Sequence, residues 1–186
     1  MTTDWPVAVG TWVLAVATWA LAGVTWWLAR RQLSLAKEQL EGQLSIAREQ
    51  REIELYLALR NDFDGPLIAA RKILAQQFLA NAAHDEIKET VLDFFEDMGM
   101  LIRRDYLDRD MVWGTFSYYA RMWWSSCKEY IEAERARLND SSFFTDFEYL
   151  VEWIGEEDVK RLQKSRAALE PSPSDIKGFL DDEAKL

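Results

Sequence analysis

From Trp5 to Ala29 the chain carries no charged residue. Twenty-five helical residues span roughly 37 Å at ~1.5 Å per residue, against a hydrocarbon thickness of about 30 Å. A core helix of a globular domain rarely stays uncharged for so long, so the run predicts a transmembrane helix in contact with the lipid bilayer. Ala20-Leu21-Ala22 has the small-residue pattern of a signal-peptide cleavage site. The segment before it, however, lacks Lys and Arg and carries Asp4, and the basic pair Arg30-Arg31 follows the apolar run. Those features describe a retained anchor. Trp5, Trp26, Trp27, Arg30 and Arg31 are the expected membrane flank. Basic residues stay cytoplasmic, which places the N-terminus outside and the bulk of the chain inside.

Residues 9–29 read in sevens as Val-Gly-Thr-Trp-Val-Leu-Ala, Val-Ala-Thr-Trp-Ala-Leu-Ala and Gly-Val-Thr-Trp-Trp-Leu-Ala. A lipid-facing helix needs apolarity but no period. A seven-residue period keeps one stripe against a neighbouring helix. The stripe is Thr11, Ala15, Thr18, Ala22, Thr25 and Ala29, with the small-x-x-x-small spacing that lets backbones approach in lipid. One membrane helix per chain has no internal partner, so the expected partners are other copies in a parallel homo-oligomer. Two geometries fit: Thr and Ala in the contacts with Trp toward lipid, or Thr lining a lumen with Leu and Trp between neighbours. A plain anchor with a duplicated sequence is the blander reading.

Beyond the apolar run, Gln32–Gln39 recurs as Gln43–Gln50, a shift of eleven residues. Eleven residues make three turns at ~3.67 per turn, the period of a straight or slightly right-handed bundle. Leu33, Ala36, Leu40, Leu44 and Ala47 form one stripe, and no Pro interrupts residues 7–61. The expectation is a helix that leaves the bilayer as a coiled-coil coupling stalk over 30–61, or a solvated spacer. A cytoplasmic helical domain over 62–170 and a flexible tail over 171–186 complete the organisation. The fold class is therefore all-α: a transmembrane helix continuing into a long helix, then a bundle of about four helices. Helices are expected over about 67–81, 85–104, 109–138 and 143–169, with a short one near 176–180.

The charge of −10 falls on residues 61–186. An acidic main domain argues against general nucleic-acid binding. The single cysteine, Cys127, cannot form an internal disulfide and suits a reducing compartment. His84 is the one histidine, and there is no Gly-rich phosphate loop or nucleophile elbow, so no catalysis, metal or cofactor is expected. Glu86, Glu89, Asp93, Glu96 and Asp97 read as a solvated helix face. Trp113, Phe116, Tyr119, Trp123, Cys127, Tyr130 and Ile131 recur at core spacing. Tyr118 and Trp124 sit off that stripe and are candidate subunit or partner contacts. Arg103-Arg104, at a helix end, suit the helix dipole or an anionic signal.

The stretch Val91–Asp108, with Phe116-Ser117-Tyr118-Tyr119 and Phe147-Glu148-Tyr149-Leu150, resembles a prokaryotic domain-of-unknown-function family. Such proteins have one N-terminal membrane helix and a cytoplasmic helical domain. The resemblance implies the prokaryotic inner membrane and transfers no site residues. More distantly, the architecture is similar to a pore-forming accessory membrane protein of RNA-targeting CRISPR systems, whose ribonuclease-like domain is marked by Arg, four to six residues, then His. Here the nearest Arg before His84 is Arg71, so the likeness implies an oligomeric membrane effector in antiviral defence without nuclease activity. An oligomeric scaffold recruiting a cytoplasmic protein is the alternative.

Overall fold

The computed structural model describes residues 5–83 and 86–186, with side chains from residue 25 onward and those of Trp19 and Leu21. Among the described residues it is all-α, with six α-helices and no strand. α1 covers Trp5–Phe63, α2 Leu67–Leu79, α3 Thr90–Arg103, α4 Arg109–Leu138, α5 Thr145–Leu162 and α6 Pro173–Glu183, with a 3₁₀ turn at Arg166–Ala168. The chain divides into two compact units, Met1–Gln50 and Arg51–Leu186. That boundary falls inside α1.

Among the described residues no helix is long and apolar enough to cross a membrane, so the expected transmembrane segment is not found there. The reason lies in what is described: apart from Trp19 and Leu21, the side chains of residues 5–24 fall outside it. The side chains of Trp5, Thr11, Ala15, Thr18 and Ala22, and His84 altogether, thus lie outside the described residues. Within the first unit, Arg30 lies over the Trp26 ring at 4.0 Å and Arg31 over Trp27 at 5.5 Å. The Thr25 hydroxyl donates to the Leu21 carbonyl at 2.9 Å. Leu33, Leu40 and Leu44 are 71, 57 and 53% exposed.

The second unit is built around aromatic side chains. Phe63, the last residue of α1, meets the rings of Phe94, Phe95, Phe116 and Tyr119 at 4.8–6.2 Å. Phe95 stacks on Phe147 at 5.0 Å, and Trp123 meets Phe179 edge-on at 5.2 Å. Each fully buried Phe adds ~1.5–3 kcal/mol of transfer free energy. The turn after Phe63 lets α2 begin at Leu67 behind Pro66, with no side-chain cap.

The α3–α5 contact is made by the Val91–Asp108 stretch itself. A Cβ on Gly99 would stand 1.9 Å from the Asp146 carbonyl oxygen, so only glycine admits α5 at this distance. The Glu96 carboxylate accepts from Phe147 N at 2.6 Å. It satisfies one of the free amides at the start of α5, whose own cap position, Phe144, has no side-chain cap and sits at φ 55°. Arg103 closes the contact with an ion pair to Asp146. Asp108 then caps α4 by accepting from Met111 N at 2.8 Å.

Three sequence expectations change. α3 begins at Thr90 rather than near 85, and α5 ends at Leu162, where Gln163 takes φ 53°. Residues 171–186, expected as a flexible tail with a short helix near 176–180, carry the longer α6 over Pro173–Glu183. Ser172 and Asp175 form a reciprocal capping box with Pro173 at the first turn, and Phe179 and Leu180 are buried. Arg71, on α2, fixes α6 through the Glu183 carboxylate at 2.7 and 2.6 Å. It also donates to the Phe63 carbonyl at 3.2 Å and lies over the Phe63 ring at 4.1 Å.

Candidate functional site

Two features of the described residues have chemistry left over after folding, and each belongs to one unit. In the first unit it is the exposed stripe of α1. Leu33, Leu40 and Leu44 lie on one face by their spacing. Around them the polar groups look after one another: Ser34 donates to Arg31 O and Ser45 to Gly42 O, both at 2.9 Å, and Lys37 sits 3.9 Å from Glu41. The Thr25 back-bond has the same effect, since a hydroxyl bonded to its own helix tolerates an apolar surrounding. Thr25 and Ala29 are exposed, as are Trp26, Trp27, Arg30 and Arg31.

In the second unit the feature is a cleft of about 320 Å³ between α4, α5 and the segment 166–171. Trp124, Val151, Leu169 and Pro171 give it apolar walls; Arg121, Lys128 and Arg166 line it with cations, and Asp158 and Glu170 with carboxylates. Its floor is built from buried polar groups. Asp158 is 1% exposed, and its Oδ1 accepts from Trp113 Nε1 at 2.9 Å. Arg121 Nη1 lies 3.2 Å from Asp158 Oδ2 and donates to the Leu169 carbonyl at 3.2 Å. The carboxylate is therefore engaged at both oxygens, Oδ1 by the indole N–H and Oδ2 by the charge of Arg121.

The sequence-predicted contact residues do not form one site. Arg103 is committed to Asp146 and lies 5.8 Å from the Tyr149 ring. Arg104 is exposed at the end of α3. Tyr118 is half exposed and packs edge-on against Phe179 of α6 at 6.0 Å. Trp124 packs edge-on against Phe147 at 5.1 Å and turns its remaining surface to the cleft. Trp113, expected as core, is half-buried and serves Asp158.

The acidic face of α3 is more structural than its spacing suggests. Glu96 holds α5, and Glu89 accepts from the Tyr130 hydroxyl at 2.5 Å. Burial pushes the Glu96 and Asp93 carboxyls above their usual range, Asp93 with help from the charges of Glu89 and Asp97. Among the described residues no group of His, Cys, Asp and Glu is placed to hold a metal ion. Cys127 is fully buried, and desolvation pushes its thiol well above the ordinary range, so it is a core side chain and no nucleophile.

A family model described as a domain of unknown function, DUF4760, matches residues 9–153. It takes in the repeats of the apolar run, the Val91–Asp108 stretch and the first half of α5. No curated protein and no solved structure matches.

Proposed function

The chain belongs to the DUF4760 family, a domain of unknown function, and we propose that it is a self-associating single-pass membrane protein. In this reading the N-terminal apolar run anchors it in the prokaryotic inner membrane, N-terminus outside. The helical domain stays in the cytoplasm and does no catalysis. It governs a parallel homo-oligomer that opens or perturbs the bilayer. Antiviral defence is the setting that the architectural likeness suggests.

One observation carries the reading. Twenty-five residues without a charge run directly into a helix whose next apolar side chains, Leu33, Leu40 and Leu44, remain exposed. A helix with that much uncovered apolar surface needs lipid or another copy. The Trp26–Arg30 and Trp27–Arg31 contacts suit a membrane–water boundary, where ring and cation share an interface. A scaffold that recruits a cytoplasmic protein is favoured by one fact, the acidic balance of residues 61–186.

The experiment is the mass of the full chain in mild detergent, followed by dye release from liposomes. A defined multimer is expected, and Thr18→Leu with Ala22→Leu shifts it toward monomer. Dye release by the multimer supports the effector; a leak-tight multimer supports the scaffold. Extraction of the chain from membranes by alkaline carbonate would overturn the anchor itself.

A further inference from the structure

We propose that the α4–α5 cleft is a binding site for a nucleoside monophosphate or a molecule of that chemistry, with a phosphate on Arg166 and Lys128 and a flat base against Trp124. The proposal needs no part of the membrane reading, since it concerns the second unit alone.

The first argument is charge. The chain carries −10, yet three of the five ionisable side chains lining this cleft are cations. The acidic surface would neutralise them cheaply if neutralisation were their role. Arg121 is held by Asp158 and the Leu169 carbonyl. Lys128 has only a solvent-exposed Glu132 at 3.9 Å, a pair worth little in water. Arg166 makes no ion pair or hydrogen bond through its side chain among the described residues. Its guanidinium lies 3.9 Å from where a Gly155 Cβ would stand, at ordinary van der Waals distance. A guanidinium without a carboxylate at the mouth of a cleft is suited to the oxygens of a phosphate.

The second argument is the wall. Trp124 is half-buried, with its edge contact to Phe147 fixing the ring. A fixed indole beside cations is the arrangement that stacks a flat heterocycle while its phosphate is held nearby. The third is the floor. Asp158 lines the cleft and is almost wholly buried, and it fixes the back of the site by holding the Trp113 indole and the Arg121 guanidinium. The cleft, at about 320 Å³, is at the lower end of small-ligand pockets, ~300–1,000 Å³, and suits one nucleotide better than a chain of them.

The test is calorimetric titration of the full chain in mild detergent with guanosine and adenosine monophosphates, and separately with inorganic phosphate. At least one nucleotide is expected to bind in the micromolar range, with inorganic phosphate at least tenfold weaker. Arg166→Gln, an exposed position that leaves the fold intact by thermal melting, weakens the nucleotide at least tenfold. Trp124→Leu removes the advantage of the nucleotide over phosphate. No nucleotide binding up to millimolar concentration overturns the proposal. So does undiminished binding by Arg166→Gln, or a phosphate affinity equal to that of the nucleotides.

Discussion

The two ends of α1 are one helix with opposite fates. Upstream, Leu33, Leu40 and Leu44 are more than half exposed. Downstream, Leu55, Tyr56 and Leu59 pack on the core and Phe63 is 3% exposed among four rings. The residues are alike in chemistry, so what differs is supply: the downstream end has partners within its own unit, and among the described residues the upstream leucines stay exposed. Helix formation is indifferent to this, because backbone hydrogen bonds close within the helix. Stability is not. The downstream end is held by contacts that mutation can remove one at a time, whereas the upstream end depends on what it meets outside the chain.

The largest break in that contrast is expected at Glu183. Its carboxylate is the counter-ion of Arg71, which is 5% exposed beneath Phe63. Glu183→Ala leaves a buried cation without its counter-ion, a change that costs about 3–5 kcal/mol. Urea denaturation of the full chain reads this as a fall in midpoint for the second unit. Replacing both members, Arg71→Met with Glu183→Met, removes the stranded charge and is expected to recover most of the loss. A double variant as weak as the single one would mean that the pair acts through packing and not through charge.

Gly99 comes next. An added methyl meets the Asp146 carbonyl oxygen at 1.9 Å and its carbon at 2.5 Å, and neither is a flexible side-chain end. Gly99→Ala pushes α3 from α5 and costs about 3 kcal/mol, the upper range for overpacking. The same substitution at Gly42, on the upstream end of α1 with nothing within 4 Å, is expected to be neutral or slightly stabilising through helix propensity. Paired thermal melts of the two variants therefore test the contrast directly. Equal losses at both sites would show that the upstream end has an internal partner after all.

Much of this was legible one element at a time. α4 spans Arg109–Leu138 as its sequence predicts, because Asp108 caps one end and Asn139, at φ 52°, breaks the other. The last helix is legible only in part: its centre near 176–180 is expected, but its start at Pro173 is not, although the signal is present. Ser172-Pro173-Ser174-Asp175 is a capping box with proline at the first position, but a Pro- and Ser-rich stretch also has the composition of a linker. What was hidden is whatever joins distant residues. The Val91–Asp108 stretch suggested a family, yet the work of Glu96 and Gly99 is defined by Asp146 and Phe147, some fifty positions on. The cleft was less visible still. Asp158 sits in Glu156-Glu157-Asp158, which reads as a solvated run, and only folding brings Trp113 and Arg121 to it.

The smallest effect is expected on the outer side of α3. Asp93 keeps partial exposure, and its carboxyl is raised by desolvation first and by Glu89 and Asp97 after that. An acid whose folded value lies above its ordinary one binds its proton more tightly in the folded state. Stability is therefore greatest at low pH with respect to this group, and is lost as pH rises through the raised value. Solvent screening at a partly exposed site keeps the effect small. Asp93→Asn removes the penalty, so the variant is expected to melt slightly above the parent at pH 7. The difference should shrink toward pH 4, where the parent carboxyl is itself becoming neutral. Thermal melts at the two pH values check this. A gain of equal size at both would assign it to the helix rather than to the charge, and a loss at pH 7 would mean that Asp93 is held by a favourable contact and not crowded by its neighbours.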